Sequence, residues 1–101
     1  MRDFPDPQLF EKVTKHMKVV FDLDGTLALT EHRAHYLDRE KKDWRAFYAA
    51  CDQDPACWPI IRTLLALHAT GADVEIWSGR SKEVLEKTTT WLHNNGLGAI
   101  N

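Results

Sequence analysis

Residues 18–27 read KVVFDLDGTL, an apolar run followed by two acidic residues and a glycine turn. The run predicts a strand over about Lys18 to Leu23, and consecutive apolar positions are typical of a parallel strand that is buried on both faces. Because side chains alternate faces along a strand, we expect Asp22 and Asp24 to reach one small volume where the strand ends. Two carboxylates that close attract a divalent cation or share a proton, so one can attack an electrophile while the other transfers the proton.

The composition is that of one ordinary globular domain. The chain has 101 residues, of which 44% are hydrophobic and 28% charged. Its formal net charge of -2 gives no global attraction to nucleic acid or to an anionic membrane. No apolar run approaches the roughly 20 residues needed to span a bilayer, and residues 1–5 lack the apolar core of a signal peptide. We therefore expect a cytoplasmic protein with no membrane partner.

The two cysteines, Cys51 and Cys57, are six positions apart and form no C-x-x-C pair. This spacing favours reduced thiols over a disulfide or a metal site.

Hydrophobic spacing and capping residues predict a second strand and four helices. The helices are expected over about Gln8 to His16, from the Asp43 cap to about Cys51, from Pro59 to about Thr70, and from the Ser81 cap to about Asn94; the strand is Asp73 to Trp77. This order indicates an α/β fold, a Rossmann-like parallel sheet with right-handed crossover helices. Residues 28–58 form a small helical insert, or cap, after the first strand.

A second polar motif, Ser78-Gly79-Arg80, follows the second predicted strand. A hydroxyl and backbone N–H groups near a helix N-terminus form a phosphate cradle, although a plain turn into a helix explains the same residues equally well. Arg80 either adds a charged contact to the phosphate or points to solvent. Ligands of parallel α/β sheets bind at the carboxyl ends of the strands, where both motifs fall. A plain turn also does not explain Asp22, because a carboxylate at the end of a buried strand needs a partner or a function.

The stretch from Lys18 to Leu27 resembles motif I of the haloacid dehalogenase-like (HAD) hydrolase superfamily, and VEIWSGR at residues 74–80 resembles its motif II. More narrowly, both are similar to the phosphatase domain of polynucleotide kinase/3′-phosphatases. The resemblance implies an HAD-like fold, here without the C-terminal strands, and Mg²⁺-dependent hydrolysis of phosphomonoesters through an aspartyl-phosphate.

The same resemblance implies the roles of the site residues. Asp22 would be the nucleophile, and Asp24 would protonate the leaving oxygen and then activate water. Mg²⁺ would bind the Asp22 carboxylate and the backbone carbonyl of Asp24. The remaining candidates bind substrate: Thr26, which supports the motif I loop, Ser78, Gly79 and Arg80.

Members of this superfamily carry a lysine and one or two further acids beyond the second crossover, and the sequence ends at Asn101 before either. The first strand is also expected to keep an open edge, which favours association. Three interpretations follow: a piece of a longer phosphatase, which we favour; a sheet completed by a second copy in a homo-oligomer; or a non-catalytic phosphate-binding or interaction module.

The insert is expected to influence the choice of substrate. Basic and aromatic residues between His32 and Arg45 are suited to stacking a base and gripping a phosphate backbone. However, residues 31–45 carry five Lys/Arg and four Asp/Glu. The stretch is therefore close to neutral, which is also typical of a solvated surface with no nucleic-acid ligand. His32 and His35 lack a third metal ligand nearby. We expect the aromatic side chains to pack in the core: Trp44, Phe47, Tyr48, Trp58, Trp77 and Trp91. The resemblance to polynucleotide kinase/3′-phosphatases implies a polynucleotide 3′ end as the leading substrate, and a nucleotide or small phosphorylated metabolite is the alternative.

Overall fold

The computed structural model describes Gln8 and residues 17–100, and within them the two predicted strands pair in parallel. Strand β1 is Lys18–Asp22 and strand β2 is Asp73–Trp77. Their register runs from Lys18 opposite Asp73 to Asp22 opposite Trp77, and the Leu23 N–H continues the pairing to the Trp77 carbonyl at 3.0 Å. The two strands therefore end side by side, and the loops that follow them begin next to each other. The parallel pair and its helices confirm the α/β class.

Residues 17–100 form three α-helices and three short 3₁₀ helices beside this pair. The α-helices are α1, Trp44–Ala49; α2, Trp58–Ala69; and α3, Leu85–Asn94, and the 3₁₀ helices are Glu31–Tyr36, Cys51–Gln53 and Lys82–Val84. The predicted caps are confirmed, since Asp43 accepts from the Ala46 N–H at 3.0 Å and Ser81 from the Glu83 N–H at 3.3 Å. The helix predicted over about Gln8 to His16 lies, apart from Gln8, outside the described residues. No described helix is long and apolar enough to cross a lipid bilayer.

The core lies under the loop that follows β1. Leu23 and Leu27 of that loop are fully buried, together with Ile61 and Leu64 of α2 and Leu97 after α3. Burying a leucine or isoleucine side chain contributes roughly 1.5–3 kcal/mol, so this cluster fixes the loop against the helices. The position of the candidate site is thus set by apolar packing beneath it.

The prediction that β1 is buried on both faces is wrong for the described part of the chain. Burial alternates along the strand: Val19 and Phe21 are half-buried, whereas Val20 and Asp22 are exposed. Trp77, the register partner of Asp22, is 60% exposed. Residues 17–100 cover one face of the sheet and place no strand along the outer edge of β1.

The aromatic residues also depart from the prediction. Trp91 is buried, but Trp44 and Trp58 are 50% and 52% exposed, and Trp77 is exposed as well. Trp44 and Trp58 are the first residues of α1 and α2, where a side chain projects past the packed part of its helix. Trp77 lies on the uncovered face of the sheet. Phe47 and Tyr48 are half-buried.

Cys51 and Cys57 are free thiols, as predicted, and they differ in environment. Burial raises the pKa of the Cys51 thiol, although the nearby Arg80 and Arg33 guanidinium groups oppose the shift. An unfolded chain would ionise this thiol first as pH rises. The contribution of neutral Cys51 to stability is therefore lost as pH rises past the ordinary thiol pKa.

We expect iodoacetamide at pH 8 to alkylate Cys57 much faster than Cys51, because the thiolate is the reactive form and Cys51 is both buried and protonated. Peptide mass spectrometry after timed quenching measures the two rates, and labelling in urea supplies the unprotected reference. Equal native rates for the two cysteines would contradict this assignment of their environments.

Candidate active site

The loop after β1 is closed by hydrogen bonds to one carbonyl. The N–H groups of Thr26, Leu27 and Ala28 lie 3.4, 3.0 and 2.9 Å from the carbonyl oxygen of Leu23. Gly25 has a φ of +79°, which a side chain would disfavour, and its N–H donates to the Ala28 carbonyl at 2.9 Å. The loop is thus a tight turn, and the part of Thr26 that supports it is its backbone.

Asp22 is the last residue of β1 and its side chain is exposed. Among residues 17–100, no side chain or backbone group forms a hydrogen bond or an ion pair with its carboxylate. The carboxylate is therefore available to an external electrophile or cation.

Asp24 has a different environment. Its Oδ1 accepts hydrogen bonds from Nη2 of Arg33 at 2.8 Å and from Nε and Nη2 of Arg80 at 3.0 and 2.7 Å. Asp24 lies in the turn rather than in β1, so strand alternation does not set its direction. Two guanidinium groups hold one carboxylate oxygen, and Oδ2 has no partner among the described residues.

A second carboxylate, Asp54, joins the same arginines, and sequence reasoning missed it. Its Oδ1 accepts from Arg33 Nε at 2.8 Å, and its Oδ2 accepts from Arg33 Nη2 at 2.8 Å and Arg80 Nη2 at 3.1 Å. We call Asp24, Arg33, Asp54 and Arg80 the ion cluster. The Asp54 and Arg33 side chains are fully buried and that of Arg80 is 2% exposed. The two acids balance the two arginines in charge, as buried ions require.

The remaining contacts of both arginines are also satisfied. Arg33 Nη1 donates to the Phe47 carbonyl at 3.1 Å, and its guanidinium lies 4.3 Å from the centre of the Phe47 ring. Arg80 Nη1 donates to Thr88 Oγ1 of α3 at 3.1 Å. Burial alone would lower the pKa of Arg33, but the Asp54 and Asp24 carboxylates outweigh it and the pKa is raised. The Arg33 guanidinium therefore remains charged, and hydrogen bonds hold both arginine side chains in place.

Backbone bonds hold the segment that carries Asp54 in place. The Trp91 indole N–H of α3 donates to the Asp54 carbonyl at 2.8 Å. The Leu29 N–H donates to the Pro55 carbonyl at 2.8 Å, and Ala28 and Ala56 form an antiparallel bridge. The end of the 28–58 insert is thus fastened to the loop after β1.

Ser78 and Gly79 lie exposed at the end of β2. Ser78 Oγ accepts the Arg80 N–H at 3.1 Å, so its hydroxyl proton remains available to a ligand. The alternative that Arg80 points to solvent is wrong, because the ion cluster surrounds its side chain. A phosphate contact from Arg80 remains a prediction, as do the roles of Ser78 and Gly79.

Arg33 and Asp54 are central to the ion cluster, although their sequence context did not indicate this. Arg33, grouped with the base-gripping residues of the insert, is buried and unavailable for that role. Asp54 precedes Pro55, and an aspartate before a proline is ordinary turn sequence that carries no local signal of burial. His32 hydrogen-bonds Asp54 through Nε2, and His35 packs on Tyr36 with ring centroids 4.0 Å apart. Residues 17–100 contain no group of three or more His, Cys, Asp or Glu side chains that are placed to hold a metal ion.

The oxygen atoms near the end of β1 suit Mg²⁺. The Asp22 carboxylate and the Asp24 backbone carbonyl accept no hydrogen bond from any described residue. Mg²⁺ prefers oxygen ligands, keeps several waters and often uses one or two carboxylates together with substrate phosphate. The Asp24 carbonyl therefore fits as a ligand beside the Asp22 carboxylate, while Asp24 Oδ1 is held by Arg33 and Arg80.

Sequence comparisons relate this chain to known proteins. The chain is 32% identical over 79 residues to the von Willebrand factor A domain-containing protein 5A of Mus musculus. The aligned region covers 76% of this chain and 9% of that protein. The chain thus spans about a tenth of the length of this curated relative. No solved structure matches it. Residues 16–99, which include both strands and the whole ion cluster, match the phosphatase domain of polynucleotide kinase PNKP, and the chain belongs to this HAD phosphatase family.

Proposed function

We propose that this chain is a Mg²⁺-dependent phosphomonoesterase that acts through an aspartyl-phosphate on Asp22. The observation that carries the proposal is the contrast between two neighbouring acids. The Asp22 carboxylate is unpaired and exposed among the described residues, whereas Asp24 is held by Arg33 and Arg80. Acids in such different environments are suited to different roles, one as nucleophile and the other in proton transfer.

In the first step an Asp22 carboxylate oxygen attacks the phosphorus atom and the bond from phosphorus to the ester oxygen breaks. For this step Asp24, whose carboxylate balances an arginine charge in the ion cluster, first takes up a proton from solvent. It then gives that proton to the departing oxygen, which leaves as a neutral alcohol. The guanidinium groups occupy Oδ1, so the proton is carried by Oδ2.

In the second step water attacks the phosphorus atom of the aspartyl-phosphate. Asp24, now ionised, takes a proton from this water as the bond from Asp22 to phosphorus breaks, and inorganic phosphate leaves. Asp22 is then free again, and Asp24 carries the proton that the next turnover needs.

Other residues bind and orient the phosphoryl group. The Ser78 hydroxyl donates to a phosphoryl oxygen, and the exposed backbone of Gly79 leaves room for the anion. The Asp22 carboxylate and the Asp24 carbonyl would hold Mg²⁺, which would reduce the repulsion between the anionic nucleophile and the anionic phosphoryl group.

A polynucleotide 3′ end is the substrate we favour, and the family match supports it. Phosphate release from a 3′-phosphorylated oligonucleotide and from free nucleotides decides between this substrate and a small metabolite. Equal or greater rates on the free nucleotides would argue against the nucleic-acid substrate.

The activity itself is tested with p-nitrophenyl phosphate and Mg²⁺. We expect the wild-type chain to turn over this substrate. Asp22→Asn should reduce the rate to background because it removes both the nucleophile and a metal ligand, and EDTA should do the same because it removes the metal ion. Asp73→Asn, an exposed acid at the opposite end of β2, is the matched control and should retain the wild-type rate. Wild-type hydrolysis no faster than that of Asp22→Asn would leave a non-catalytic phosphate-binding or interaction module.

A further inference from the structure

A groove of about 440 Å³ lies between α1 and the segment that leads into α3, outside the ion cluster. One wall is formed by Trp44, Arg45 and Tyr48 of α1, and the other by Ser81, Glu83 and Lys87. We call it the Trp44 groove. Its volume lies within the range of ordinary ligand sites.

The Trp44 groove presents a fixed aromatic surface. Trp44 is half-exposed, and its indole lies nearly parallel to the Tyr48 ring, with centroids 6.1 Å apart and an interplanar angle of 26°. It meets the edge of Phe47 at 5.9 Å, and Phe47 in turn lies against buried Arg33. The indole is thus supported from within the protein while one side faces the groove, a low-entropy arrangement for stacking a flat ring.

One wall of the groove belongs to the chain segment that carries the second polar motif. Ser81 lines the groove and is three residues after Ser78. Three residues span at most roughly 11 Å, so this wall lies within reach of the alcohol portion of a phosphomonoester placed at Ser78.

The charges around the groove favour an anionic ligand. Arg45, whose side chain is 88% exposed, and Lys87 face the single acid Glu83. The contact from Arg45 Nε to Glu83 is long, at 3.8 Å, and its exposure makes it weak. Lys87 is held across the groove by a 2.6 Å hydrogen bond to the Ala49 carbonyl, and its Nζ lies 3.7 Å from the Asp52 carboxylate. The groove therefore combines an aromatic surface with two basic side chains whose ion pairs are long and exposed.

We propose that the Trp44 groove binds the nucleobase of a 3′-phosphorylated nucleotide, stacked on the Trp44 indole while the phosphate lies at Ser78. This proposal rests on the proposed phosphomonoesterase activity and adds the residues that select the alcohol. The base belongs either to a free nucleotide or to the end of a strand, and both present the same ring.

The test compares two phosphomonoesters, thymidine 3′-monophosphate and the ring-free glycerol 2-phosphate. The preference for the nucleotide is the ratio of its kcat/KM to that of glycerol 2-phosphate. Trp44→Ala should lower this ratio by about tenfold, because a stacked base contributes affinity of this order. The loss should appear as a higher KM for the nucleotide. Trp44→Phe should restore most of the preference. Trp58→Ala removes an equally exposed indole outside the groove and should leave the ratio unchanged. An unchanged ratio in Trp44→Ala would overturn the proposal.

A binding measurement separates this proposal from the catalytic one. In the Asp22→Asn background, thymidine 3′-monophosphate should quench tryptophan fluorescence, and the quench should disappear with Trp44→Ala but persist with Trp58→Ala. Trp44-dependent quenching without turnover by the parent chain would overturn the enzymatic proposal and support base binding in the Trp44 groove. Turnover without Trp44-dependent quenching would support the enzymatic proposal and overturn base binding in the groove. Repeating the titration with a 3′-phosphorylated oligonucleotide shows whether a strand end binds more tightly than the free nucleotide.

Discussion

Replacing Arg33 with methionine is expected to lower the free energy of unfolding by about 3–5 kcal/mol, the usual cost of removing one partner from a buried ion pair. Arg33 is fully buried and binds both oxygens of Asp54, whose own side chain is also fully buried. The variant leaves Asp54 with Arg80 and His32 alone. Since small domains are stable by only about 5–15 kcal/mol, urea unfolding followed by circular dichroism should show a large shift of the midpoint.

Arg45→Met is the matched control, because Arg45 is almost fully exposed and its ion pair is long. We expect it to change the free energy of unfolding by less than about 0.5 kcal/mol. If Arg33→Met were as mild as this control, the buried ion cluster would not exist in solution as described.

A double variant isolates the pair itself. Asp54→Asn alone should also destabilise, because it removes the negative charge that faces Arg33 and Arg80. Combined with Arg33→Met, it should cost less than the sum of the two single effects by about 1–3 kcal/mol, the range seen for residues in one network. Strict additivity would mean that the two side chains do not interact.

Local signals predicted the parts of the fold that depend on local contacts. Asp43 and Ser81 cap their helices through hydrogen bonds within three residues, so their sequence neighbours sufficed to predict them. β-Branched residues occur in both strands, each strand ends at a polar motif, and the two pair in parallel as expected. Gly25 marked the turn because its φ of +79° favours glycine.

Contacts between distant positions could not be predicted in the same way. Arg33 and Asp54 are 21 positions apart, and each lies in polar sequence that a solvated loop would also show. Their pairing depends on how the insert returns to the loop after β1, which no single segment encodes. The exposure of Val20 and Trp77 has a similar origin, because an apolar sequence does not specify which residues cover each face of the sheet.

Asp24→Asn is expected to reduce steady-state hydrolysis of thymidine 3′-monophosphate by about 10²–10⁴-fold, the usual contribution of general acid–base catalysis. Asparagine keeps the shape of the side chain and its oxygen can still accept from Arg80, but it carries no transferable proton. The alkoxide leaving group of the nucleotide needs that proton, so the first step itself should fail. Phosphate release measured against Asp73→Asn, an exposed acid outside the site, gives the size of the loss.

The leaving group distinguishes a proton donor from a residue that only supports the fold. p-Nitrophenolate departs without a proton, so Asp24→Asn should still release about one equivalent of p-nitrophenol in a rapid burst. Turnover should then stall, because the same residue must activate water for the second step. Rapid-quench kinetics with both substrates measure this difference. Equal losses in the first turnover for the nucleotide and the aryl phosphate would remove Asp24 from proton transfer and leave it as an anchor for Arg33 and Arg80.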